Sequence, residues 1–194
     1  TMRETCVIKT LGRAIKMNIE SVSDEDMVEF LVHAKKEYIM TKKNVINKNQ
    51  WGYEVERYGG LCFFGIREMV KFRKQPVLGI FYAGHLMPEF MPEAIGSELS
   101  FAHARKVNNF LNQCCLKVEP DRPFRGPEEA DVRIPGFTDL QYAARIHENC
   151  LIEIGNGKRK ADLDHFWGTE FVILNQDKKS STLFEGGYLG GRLR

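Results

Sequence analysis

Two spacings of apolar residues coexist in this chain, and any fold must satisfy both. Behind Ser23, Asp24, Glu25 and Asp26, the residues Met27, Phe30, Leu31, Ala34 and Tyr38 recur every three or four positions. That is the period of an α-helix with one buried face, and serine followed by acids suits a first turn whose backbone N–H groups lack partners. Further on, two apolar, aromatic-rich runs, residues 61–66 and 77–83, are bounded by glycine and proline and are too short for helices. They read as strands joined by a basic connection, residues 71–74. Helix and strand periods together predict an α/β fold with a central mixed β-sheet flanked by helices.

The rest of the chain fills in that plan. Residues 88–92 read as a loop, and Ser97 with Glu98 opens a second helix whose Leu99, Ala102, Val107, Phe110, Leu111 and Cys114 share a face. Four prolines mark residues 120–135 as irregular. A short helical pattern is expected over residues 140–148, then a strand over 150–154. The near-continuous apolar character of that strand suits the centre of a sheet. Gly155, Asn156 and Gly157 break it, a basic turn follows at residues 158–160, and a last strand is expected at 171–174. Residues 1–175 are expected to form one domain. Residues 176–194, with four glycines and few apolar side chains, read as a flexible linker.

Composition excludes several classes. With 43% hydrophobic residues in 194, the chain is long enough for one core. Lys and Arg number 28 against 26 Asp and Glu, so no global field draws the protein to nucleic acid or an anionic membrane. No apolar run reaches the roughly 18 residues of a membrane helix, and no basic stretch precedes an apolar signal core. A soluble, intracellular protein is expected, with Met2 as its natural start. Five cysteines, without C-x-x-C spacing, argue against a disulfide framework or a zinc site.

Three segments carry a resemblance. The first is Val28-Glu29-Phe30 with Ala34, Lys36-Glu37-Tyr38 and Asn47-Lys48; the second is Leu61-Cys62-Phe63. The third is Thr138-Asp139-Leu140, then Leu151-Ile152-Glu153-Ile154-Gly155, then Arg159-Lys160-Ala161-Asp162 with His165-Phe166. In this order the chain resembles the N-terminal cap-snatching endonuclease domain of the polymerase acidic (PA) subunit of orthomyxoviruses. The segments cover less than half of it. The resemblance implies a PD-(D/E)xK nuclease-like fold, RNA and other viral polymerase subunits as partners, no membrane, and residence in the host nucleus. It also implies cleavage of RNA assisted by manganese or magnesium, hard cations that favour carboxylate oxygens.

On that resemblance Asp139 and Glu153 would be metal ligands together with the carbonyl of Ile154. Glu98 would be a substitute for the family's second acid, where direct alignment places Gly96. Lys160 would stand in for a catalytic lysine whose own place is taken by Thr169. The family's histidine ligand has no counterpart, since Tyr58 stands nearest its position. A site short of a ligand, an acid and a lysine has lost most of its preorganised electrostatics, so weak or absent cleavage is expected, with an active endonuclease as the alternative.

Other signals read more plainly. Gly155-Asn156-Gly157-Lys158 is taken as a turn and not a phosphate loop. The histidines show no metal spacing. Phe63, Phe64, Phe81 and Tyr82 read as core, although an exposed pair beside Lys71, Arg73 and Lys74 would suit single-stranded RNA.

Overall fold

A computed structural model describes residues 22–126, 135–147, 150–155, 158–176 and 179–193. The first helix, α1 (Asp24–Thr41), begins as the sequence predicts. The Ser23 hydroxyl accepts a hydrogen bond from the Asp26 amide at 3.0 Å, and Lys42 ends the helix in the left-handed region at φ 57°. Met27, Leu31 and Ala34 are fully buried, whereas Tyr38 is only half-buried.

Four strands follow as an antiparallel meander, β1 (Val45–Lys48), β2 (Trp51–Gly59), β3 (Phe63–Phe72) and β4 (Gln75–Leu86). The expected basic connection is the β3–β4 turn. Arg73 and Lys74 both have positive φ, 50° and 68°, as a two-residue hairpin with the right-handed strand twist requires. Residues 88–92 are not a plain loop: a single 3₁₀ turn, Pro88–Phe90, runs into the short α2 (Pro92–Ile95). Next comes α3 (Ser97–Cys115), which buries Val107, Phe110, Leu111 and Cys114 as expected but leaves Leu99 and Ala102 exposed.

The remaining strands are β5 (Leu140–Ile146), β6 (Leu151–Gly155), β7 (Lys158–Ala161), β8 (Phe166–Gln176) and β9 (Lys179–Arg192). Seven strands form one sheet in the order β1-β2-β3-β4-β9-β8-β5, and β6 pairs only with β7. Every pairing in both sheets is antiparallel. The fold is thus α and β, but the sheet is not mixed.

Three further expectations are corrected. The strand read at 150–154 is not central; it belongs to the separate β6–β7 hairpin. Residues 140–146 form β5 and not a helix, with Leu140, Tyr142, Ala144 and Ile146 buried at the period of two. The glycine-rich stretch read as a linker is β9, the strand between β4 and β8, so the domain runs past residue 175 to Arg192. Arg192 ties this strand to α1 through an ion pair with Asp24, and its Nε lies 3.1 Å from Asp164. Residues 156 and 157, in the expected glycine turn, lie outside the described residues.

Glycines of β4, β8 and β9 make room for aromatic rings. A Cβ at Gly186 would fall 2.3 Å from the Tyr82 hydroxyl, and one at Gly84 would fall 2.2 Å from the Phe184 ring. Gly168 and Gly190 lie equally close to Tyr188 and Phe166. The large rings of this core therefore lie flat across neighbouring strands, where any side chain larger than hydrogen would collide. α1 and α3 cover this inner face. Among the described residues no helix is long and apolar enough to cross a membrane.

Candidate functional site

The acids singled out by sequence do not converge. Asp139 precedes β5, where its side chain forms an ion pair with Lys106 of α3 and its carbonyl accepts from the Asn175 amide at 2.8 Å. Glu153 is exposed on β6, which starts beyond the other end of β5. Ile152, next to Glu153, lines a cleft with Leu163 and Arg192 just ahead of β8, whereas Asp139 bonds Asn175 at the far end of β8, so about 30 Å of extended strand separates the two neighbourhoods. Glu98 is exposed on the first turn of α3. Ile154 lies on β6 beside Glu153. Lys160, on β7, lines a cleft with Asp24, Glu25 and Glu29 of α1. No group of three or more His, Cys, Asp or Glu suited to a metal occurs among the described residues.

The basic residues at the β3–β4 turn are partly engaged. Lys71 pairs with Glu54 at 2.5 Å, and Arg73 bonds Gln50 and lies over the Phe72 ring at 5.1 Å. Lys74 is exposed at the tip.

Sequence reading missed two buried carboxylates. Glu68 on β3 pairs with Lys35 of α1 at 2.5 Å, and the Lys35 ammonium also donates to the Phe124 carbonyl at 2.6 Å. Glu170 on β8 has no exposed surface. It accepts two hydrogen bonds from Arg125, at 3.0 and 2.8 Å, and others from the hydroxyls of Tyr142, at 2.8 Å, and Tyr82. The Arg125 guanidinium also stacks over the Tyr82 ring at 4.0 Å. Burial pushes the Glu170 carboxyl up, but the Arg125 charge and the hydrogen bonds outweigh it, and its pKa falls below the usual 4.5. The same burial beside Glu170 raises the phenols of Tyr82 and Tyr142 far above their ordinary range. This cluster is saturated with its own partners. The cavity beside it, between α1, α3 and the sheet, holds only about 30 Å³, room for a water and not for a substrate. An acid at an inward position of an apolar strand, as in Phe166-Trp167-Gly168-Thr169-Glu170, is the sequence signal that could have found it.

The accessible site lies on the other face of the sheet. Across β3, β4, β9 and β8 the register aligns Gly65, Ala83, Gly187 and Thr169 in one row. These small residues floor a trough about 14 Å long at the usual spacing between strands. One wall is the row Phe63, His85, Glu185 and Phe171; the other is Arg67, Phe81, Leu189 and Trp167. The groove encloses about 790 Å³, within the range of small-molecule sites. Phe63, Phe81, Trp167 and Leu189 keep 60%, 51%, 47% and 58% of their surface exposed, far more than core residues do. The Phe63 and Phe81 expected in the core are thus outside it, while their neighbours Phe64 and Tyr82 are inside, as the alternation of a strand dictates. His147 stacks on Trp167 with ring centres 4.1 Å apart, which fixes the indole at the rim.

Fold and groove together define an α and β domain with an open-faced antiparallel sheet. Compared with protein-family models, curated proteins and solved structures, the chain matches none.

Proposed function

We propose that this chain is a ligand-binding domain that takes a flat, largely apolar molecule in the cross-strand groove, and that it does not cut RNA. The groove carries this reading: a glycine- and alanine-floored trough between aromatic walls, on a face that no helix among the described residues covers. Contiguous exposed apolar surface of this kind marks interaction sites more often than chance. The separation of Asp139 from Glu153 speaks against a shared metal, whose ligands must meet within about 2.0–2.6 Å of the ion.

A second reading keeps the polymerase setting that the segment resemblance implies. A nuclease-like domain that no longer cuts would serve its polymerase by docking. Exposed Phe63 and Phe81, with Lys71, Arg73 and Lys74 farther along the same hairpin, would then form an edge for single-stranded RNA.

One set of measurements separates these. Purified protein is incubated with labelled RNA and manganese, titrated with the same RNA by anisotropy, and titrated with 4-tert-butylphenol by calorimetry. The groove reading expects no cleavage, no saturable RNA binding, and phenol binding that Gly187→Val abolishes. A Cβ at Gly187 meets nothing closer than the Gly168 carbonyl at 3.7 Å, so the added valine fills the trough without touching the core. Metal-dependent cleavage lost in an Asp139→Ala/Glu153→Ala double variant would contradict the reading. RNA binding lost in Phe63→Ala/Phe81→Ala would favour the second.

A further inference from the structure

Charge decides what kind of ligand such a groove prefers. Among the described residues lining it, Glu185 supplies the sole carboxylate; no lysine or arginine borders the cavity itself, and Arg67, in the outer wall row, is held by Glu56 at 2.6 Å. Glu185 is half-buried on β9, opposite His85 of β4 on one side and Phe171 of β8 on the other. No cation among the described residues pairs with it. Every other acid on this face nearby has a partner: Glu54 is held by Lys71 and Glu56 by Arg67 at 2.6 Å. Arg145 stands one strand beyond Thr169, at the β5 end of the trough, and does not line the groove. An unpaired carboxylate is thus set among rings whose faces attract positive charge.

We infer that the groove's ligand is a small organic cation, an alkylated ammonium joined to a flat apolar body. This rests on the groove being a binding site at all. The cation sits against Glu185 and the body lies in the trough between Phe63 and Trp167. An alkylated ammonium fits better than a primary amine. Hydrogen-bond acceptors among the lining side chains are few beyond Glu185 and the Thr169 hydroxyl, so a cation needing three acceptors would lose much of its hydration without replacement. The enclosed volume of about 790 Å³ suits a free small molecule and not a folded partner.

The test uses a charged probe and its carbon isostere. The intact chain is titrated by calorimetry, at mildly alkaline pH where histidines are ordinarily neutral, with 4-hydroxyphenyltrimethylammonium and with 4-tert-butylphenol. Glu185→Gln is run beside the wild type, with its melting temperature confirming an intact fold. The expected result is binding of the cation at least about 10-fold tighter than of the isostere, with Glu185→Gln removing that preference so that the two probes bind alike. Equal affinity for the two probes would overturn the cation and leave the groove standing. Binding of neither would overturn both.

Discussion

Arg125 holds Glu170 by two hydrogen bonds in the core of the domain, 3.0 Å from Nε and 2.8 Å from a terminal nitrogen, with the guanidinium 6% and the carboxylate 0% exposed. This pair joins the irregular segment after α3 to β8. Because both charges are buried, the loss of one strands the other. Glu170→Gln or Arg125→Met should each cost about 3–5 kcal/mol. The double variant Arg125→Met/Glu170→Met should cost less than their sum, though not nothing, since the hydroxyls of Tyr82 and Tyr142 would lose their acceptor. Urea midpoints of the three variants and the wild type give the comparison. Simple additivity would show that the pair is not coupled.

The same carboxylate sets an acid limit on stability. Its folded pKa lies below the unfolded value near 4.5, so the unfolded chain binds the proton more readily. Its contribution is therefore fully present above pH 4.5 and is lost as pH falls through the lower folded value. Unfolding free energy measured from pH 6 downward should decline, and a Glu170→Gln variant should decline less steeply over the acid limb. Identical slopes would contradict the assignment.

Glycines on the two faces of β9 should respond in opposite ways. Gly186→Ala drives a methyl to 2.3 Å from the Tyr82 hydroxyl, which cannot swing aside without leaving Glu170, and overpacking of this kind costs about 1–3 kcal/mol. Gly187→Ala, on the outer face, finds only the Gly168 carbonyl at 3.7 Å and should stay within about 0.5 kcal/mol of wild type. Thermal melts of the two variants decide it, and equal losses would refute the face assignment.

These glycines also show how much of the fold the sequence reveals. The first helix was legible because the Ser23 cap and the spacing of Met27, Leu31 and Ala34 are local signals, and the β3–β4 hairpin because its turn residues and apolar runs are contiguous. β9 was not. Gly186, Gly187, Gly190 and Gly191 lower strand propensity when read alone, and only contacts from elsewhere in the fold explain three of them: rings of other strands at Gly186 and Gly190, and the Asp164 carbonyl at Gly191. β5 was missed since Leu140, Tyr142, Ala144 and Ile146 alternate across so few residues that a helical period fits nearly as well. As for sites, Asp139 and Glu153 were chosen by motif, and strand order decides their distance. The groove could not be read at all, because its floor takes Gly65, Ala83, Gly187 and Thr169 from four strands and exists only through their register.

The central claim is that the open face of the sheet binds a ligand in that trough. Amide shifts mapped by nuclear magnetic resonance during a titration with 4-tert-butylphenol test it most directly. Saturable shifts should cluster at Gly65, Ala83, Gly187, Thr169 and Trp167, spare the inner-face residues of α1 and α3, and vanish in Gly187→Val. Shifts that never saturate, or that gather between the helices or around Asp139, would contradict the account.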